Sequence, residues 1–142
     1  MQKKSVYERG VYYYETDKMG IVHHANYVHY MEEARLFFLA ANGYDYSVLE
    51  SSGVFSPVVG LSCRYHSPLR YGDSFRVIVS LSSFTGLRFV FRYRMEKKDG
   101  LLVFEGTSEH CFVDDKGKPI FLKRSFPDLY EAFSALENPE ES

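Results

Sequence analysis

Between Tyr14 and Tyr27 the chain reads Tyr14-Glu15-Thr16-Asp17-Lys18-Met19-Gly20-Ile21-Val22-His23-His24-Ala25-Asn26-Tyr27. A carboxylate such as Asp17 can take a proton from water or attack an electrophilic carbon directly. His24 lies just before a helical pattern. Free N–H groups at a helix start carry partial positive charge and can hold a developing negative one. One carboxylate and one helix start therefore suffice, in principle, to cleave a reactive acyl compound.

The same residues have plainer readings. Asp17 ahead of Lys18-Met19-Gly20 can bond to its own backbone two residues on and serve only a turn. His24 can cap or pack the helix start. His23, His24 and His29 raise a metal question, but adjacent histidines suit neither an i, i+4 helical pair nor a zinc-finger spacing, so no metal is expected. Glu32 and Glu33 read as a solvated helical face.

The elements that must hold this segment follow from periodicity. Val6 to Tyr14 favours β-branched and aromatic residues, as a strand does, and a polar turn at Lys18-Met19-Gly20 follows. Tyr27, Tyr30, Met31, Ala34, Phe37, Phe38 and Ala41 recur at the spacing of one helical face. Asn26 suits the N-cap of that helix and Asn42-Gly43 its stop. Its early opposite face, His29, Glu32, Glu33 and Arg35, is polar, whereas Leu36 to Ala41 is apolar all round and must be covered on most sides.

From Val54 the period becomes two. Val59, Leu61, Cys63 and Tyr65 share a side, then Phe75, Val77, Val79 and Leu81, then Phe89, Phe91, Tyr93 and Met95. Asp99-Gly100 predicts a two-residue hairpin that sets Met95 opposite Phe104, Tyr93 opposite Gly106 and Arg94 opposite Glu105. Keeping the faces consistent at the preceding turn requires a bulge near Ser83 to Gly86. A turn at Asp114 to Gly117 and a C-terminal helix from Pro127 complete an α+β order of strand, long helix and four strands, with the sheet curled around the helix.

The chain has 142 residues, 45% of them hydrophobic and 17% aromatic, enough for a single domain (1–142) without disulfides or a structural metal. A formal charge of -2, spread rather than blocked, argues against nucleic acid and anionic membranes and for a small-molecule partner. No apolar run is long enough to span a bilayer, and the N-terminus lacks a signal-type apolar stretch, so a cytoplasmic location is expected. Cys63 and Cys111 lie in strand patterns and are expected to be buried, reduced thiols. Glu137 to Ser142 reads as a solvated tail.

The pattern Tyr-x-x-Thr-Asp-x-Met-Gly-Ile-Val-His-His-Ala-Asn-Tyr resembles the active-site signature of the 4-hydroxybenzoyl-CoA thioesterase family, closest to the small acyl-CoA thioesterases associated with the Tol-Pal cluster. Met31-Glu32-Glu33-Ala34-Arg35 and Tyr65-x-x-Pro68-x-x-x-Gly72-Asp73 extend it. The resemblance implies a hot-dog fold, a homodimer or homotetramer with active sites at subunit interfaces, and hydrolysis of acyl-CoA thioesters. Asp17 would then attack the thioester or activate water, with backbone N–H groups near His24 polarising the carbonyl and the His24 side chain acting as a positioner.

No resident cofactor is required, since coenzyme A is part of the substrate. Arg88, with Lys123 and Arg124 behind it, is the candidate contact for its phosphates. An acyl-carrier-protein thioesterase and a non-catalytic acyl-CoA-binding module are the alternatives.

Overall fold

A computed structural model of the chain describes residues 2–139, so the end of the expected C-terminal tail lies outside the described residues. Five antiparallel strands form one sheet in the order β1-β3-β4-β5-β2. These are β1 (Lys4–Gly10), β2 (Val58–Tyr65), β3 (Ser74–Phe84), β4 (Arg88–Lys97) and β5 (Leu102–Cys111). The helix α1 (Asn26–Ala41) lies against β1 and β3. Phe75, Val77, Val79 and Leu81 of β3, and Phe89, Phe91, Tyr93 and Met95 of β4, are buried as their alternation predicts.

Strand β1 is shorter than its composition suggests. The expected strand ran to Tyr14, but the chain leaves the sheet after Gly10 and makes a 3₁₀ turn at Tyr13–Glu15. The Glu15 carboxylate accepts the Tyr12 N–H at 2.8 Å, which folds this segment back and leaves the rings of Tyr12, Tyr13 and Tyr14 exposed.

The β4–β5 register matches the expected pairs Met95–Phe104, Tyr93–Gly106 and Arg94–Glu105. The turn is different. Lys97 N–H donates to Leu101 O and Gly100 N–H to Lys97 O, so three residues, Lys98 to Gly100, form the loop. A two-residue I′ turn needs positive φ at both centres; here Gly100 takes it, at φ 90, and a register shift between Met95 and Glu96 absorbs the odd residue. The bulge foreseen before β4 falls between Leu81 and Ser83, at the early edge of the predicted span.

Helix α1 buries Tyr27, Tyr30, Met31, Ala34 and Phe38 as its periodicity predicts, and Gly43, at φ 88, follows its end. Two expectations about its faces fail. Arg35, assigned to the polar side, is only 5% exposed, because it faces the sheet and bonds Tyr93. Leu36, Phe37, Ala40 and Ala41 are exposed, so among the described residues nothing covers the outer side of the helix's second half.

Three short helices complete the chain: α2 (Tyr46–Ser51), α3 (Leu122–Ser125) and α4 (Pro127–Leu136). The first, unforeseen, is started by Asp45, whose Oδ1 accepts the Ser47 N–H at 2.9 Å. Strand β2 sits at a sheet edge and is exposed almost throughout, because α1 packs chiefly over β1 and β3 and meets β2 at its end, where Tyr27 touches Tyr65. Cys63, expected to be buried, is therefore exposed, and Cys111 is half-buried.

Candidate active site

Asp17 and His24 line one cleft of about 450 Å³ with Met19, Val22, Tyr27 and Tyr65. The cleft opens between the loop ahead of α1 and the end of β2. The loop is pinned by isolated bridges, Thr16 with Val22 and Ile21 with Arg70. The Asp17 N–H donates to Ile21 O and the Gly20 N–H to Asp17 O, both at 2.9 Å, and Gly20 takes φ 80 to close the turn.

Asp17 has both a turn role and a free edge. Its Oδ1 accepts the Met19 N–H at 2.8 Å, the local bond that the turn reading predicts. The residue is nevertheless half-exposed, and its Oδ2 has no hydrogen-bond partner among the described residues. The bond to Met19 fixes the carboxylate's orientation and leaves one oxygen available in the cleft.

His24 lies where the loop becomes helix. His23 O accepts the Asn26 N–H at 2.9 Å, and His23 Nδ1 accepts the Ala25 N–H at 3.1 Å. The His24 N–H has no hydrogen-bond partner among the described residues. Asn26 does not cap the helix as expected. It begins α1, and its Nδ2 donates to Glu15 O at 2.9 Å, tying the helix start to the Asp17 loop. The two imidazoles of His23 and His24 stack, with centroids 4.2 Å apart.

Beneath the loop lies a network that periodicity does not reveal. Arg9 Nη2 donates to both oxygens of Glu15, and Arg9 Nη1 to both oxygens of Glu33. Tyr30 Oη donates to Glu15 Oε1 at 2.9 Å and Tyr7 Oη to Glu33 Oε1 at 3.0 Å. Burial first, then the bond to Glu15, pushes the Tyr30 hydroxyl far above the usual range, so it remains a donor. Glu15 is 6% exposed, and its own carbonyl accepts the His23 N–H at 2.9 Å. Glu33, expected on a solvated face, is instead the second carboxylate of this clamp.

On the other side of the cleft, Tyr65 Oη donates to His24 O at 2.9 Å. Its ring stands edge-on to Tyr27 and Phe104, at 5.1 and 5.3 Å. Burial, then Cys63 nearby, raises its hydroxyl pKa, which keeps the donor proton in place. Next to it, His66 Nε2 lies 3.1 Å from Glu105.

Arg88 is not brought to the cleft by this chain. It stands at the far end of β4, exposed, with Glu109 at 3.6 Å. Lys123 and Arg124 are exposed on α3, and Lys123 lies over the Tyr130 ring. Among the described residues no group of three His, Cys, Asp or Glu side chains is arranged to hold a metal ion.

Residues 11–135 match the model of the thioesterase-like superfamily. The chain is 40% identical over 124 residues to a putative acyl-CoA thioesterase, YneP, of Bacillus subtilis, covering 87% of this chain and 90% of that one. It is 31% identical over 116 residues to the acyl-CoA thioester hydrolase YbgC of Escherichia coli, with 81% and 87% covered. Among solved structures, a DHNA-CoA thioesterase from Staphylococcus aureus superposes with a TM-score of 0.89 at 35% identity, over 94% of this chain and 90% of that one.

Proposed function

Since the chain belongs to the thioesterase-like superfamily and is a thioester hydrolase with a hot-dog fold, we propose that it hydrolyses acyl-CoA to a free acid and coenzyme A in the Asp17–His24 cleft. A thioester is already a reactive acyl donor, so one carboxylate and one oxyanion donor meet the need. The free oxygen of Asp17 attacks the thioester carbon or takes a proton from the water that does. The His24 N–H receives the carbonyl oxygen as charge builds on it, the C–S bond breaks, and the thiolate leaves and takes a proton from solvent or from Asp17. Where Asp17 itself attacks, water then hydrolyses the acyl anhydride it forms, which frees the acid and restores the carboxylate.

The observation that carries this reading is that Asp17, with one oxygen unengaged among the described residues, and His24, with its N–H unpartnered among them, line one cleft. Tyr27, whose hydroxyl burial pushes up to about 12, presents a neutral aromatic wall for the acyl group. No resident cofactor takes part. The working unit we propose is a homodimer joined along β2, whose outer edge is unpaired and whose Val58, Val59 and Leu61 are exposed.

Free thiol release from straight-chain, branched and aryl acyl-CoAs, with acyl-carrier-protein donors in parallel, tests the reading. Turnover of at least one acyl-CoA above the carrier-protein donors is the expected result. Binding of acyl-CoA with no thiol released from any donor would mark a binding module instead.

A further inference from the structure

The His24 peptide is held from two directions, and only one of them comes from across the cleft. The His23 N–H, the His23 carbonyl and the Ala25 N–H are all bonded within the loop and helix start, to Glu15 O, Asn26 N and His23 Nδ1. The His24 carbonyl is different. Its contact within the helix is the Tyr27 N–H at a long 3.4 Å, whereas the Tyr65 hydroxyl reaches it at 2.9 Å from the end of β2.

Tyr65 is well placed to act as a fixed strut. Its ring is braced edge-on by Tyr27 and by Phe104, which themselves stack at 5.1 Å. A phenol held by packing delivers its hydroxyl with little loss of freedom at the moment of reaction. The His24 N–H shares a planar peptide with the His23 carbonyl, which the Asn26 N–H holds. Restraining the His24 carbonyl in the next peptide fixes the torsions of His24 between them, so that the N–H cannot swing. An oxyanion donor is effective in proportion to how well it is aimed before charge develops.

We propose that Tyr65 is a positioning residue for thioester hydrolysis, which presets the His24 N–H by holding the His24 carbonyl across the cleft. The inference rests on the reading of His24 as the oxyanion donor. It places the carboxylate on one wall of the cleft and has the aim of its partner shared between the helix start and the other, edge-strand wall. The hydroxyl itself forms no bond to substrate.

Tyr65→Phe keeps the ring and its packing and removes only the donor. Steady-state kinetics on the best acyl-CoA should show kcat lowered by roughly 3- to 10-fold, the rate equivalent of one neutral hydrogen bond. KM should stay within about twofold, and so should the Kd of an S-alkyl-CoA thioether, which has no carbonyl and so makes no demand on the donor. Tyr65→Leu, which also removes the ring, should weaken thioether binding as well, separating packing from positioning. Wild-type kcat in Tyr65→Phe would overturn the assignment alone, and so would a parallel loss of kcat and thioether affinity. A wild-type chain that releases no thiol from any donor would sink the hydrolase reading and this assignment with it.

Discussion

Two arginines with buried side chains, one under the cleft and one under the sheet beyond it, keep opposite company. Arg9, under the Asp17 loop, meets two carboxylates, Glu15 and Glu33. Arg35, under the sheet that carries β2, meets none among its hydrogen-bonded partners. Its Nη1 donates to Tyr93 Oη at 3.1 Å and approaches Ser108 Oγ at 3.5 Å, while its buried Nε has no partner among the described residues. The chain of bonds continues through Tyr93, Ser108 and His110 to Ser56 O.

The directions in that second network can be worked out. Ser56 O can only accept, so His110 Nδ1 carries the proton. Burial first, then the Arg35 charge, lowers the His110 pKa to about 4, so the ring is neutral and its Nε2 accepts from Ser108. Ser108 in turn accepts from Tyr93. The network under the Asp17 loop is thus fixed by complementary charge and the one under the sheet by aligned neutral dipoles around Arg35. The loop that carries the carboxylate is ionically locked; the network at His110, toward the end of the sheet away from Tyr65, is the one acid can loosen.

The contrast breaks most visibly at Arg9. Arg9→Met strands a buried Glu15, and removing one partner of a buried pair costs about 3 to 5 kcal/mol, measured by urea unfolding at neutral pH. Adding Glu15→Gln to that variant should recover part of the loss, because the stranded charge goes with it. A cost below about 1 kcal/mol would mean that the clamp is ornamental.

The acid response of the Arg35–His110 network is next in size. Because the folded His110 pKa is depressed below its ordinary value of 6.5, the unfolded chain binds more protons between about pH 6.5 and 4. Stability from this group is complete above pH 6.5 and is lost as pH falls toward about 4. The loss should be on the order of 2 to 3 kcal/mol. Unfolding curves at pH 7 and 4.5 for the wild type and His110→Asn isolate it, since the variant should lack this component while keeping every other acid effect.

The smallest effect on the chain itself belongs to the exposed edge. Leu61→Lys should change unfolding free energy by no more than about 0.5 kcal/mol, yet reduce association measured by sedimentation. Unchanged association would remove β2 from the proposed dimer contact.

Much of this architecture was legible because it is periodic. The alternation of Phe75 to Leu81 and Phe89 to Met95 set the inner faces of β3 and β4, and the charge pair Arg94–Glu105 fixed a register the structure keeps, at 3.5 Å. Composition could not reveal that Tyr12 to Tyr14 leave the sheet, since their aromaticity suits a strand while the Glu15 carboxylate turns the chain. Nor could it reveal Arg35 inside, because a helical wheel assigns a charge to solvent unless its partners are known.

The candidate site was legible where it is local. Asp17, Gly20 and His24 fall in one contiguous motif, and one cleft gathers Asp17 and His24. The supports were hidden because they are distant: Glu15 to Tyr30, Arg9 to Glu33, and Tyr65 to His24, which lies 41 positions away. Arg88, chosen for its place after a Gly-containing turn, lies at the other end of β4 because that turn closes the sheet end opposite the cleft.

The central claim is that the free oxygen of Asp17 does the chemistry. The direct measurement is thiol release by Asp17→Asn on the best acyl-CoA, with its thermal midpoint compared to the wild type. Asn keeps an oxygen for the Met19 N–H but can act neither as base nor as anionic nucleophile, so kcat should fall by roughly 10²- to 10⁴-fold in a folded protein. Full turnover by a folded Asp17→Asn chain would contradict the account and return Asp17 to its turn.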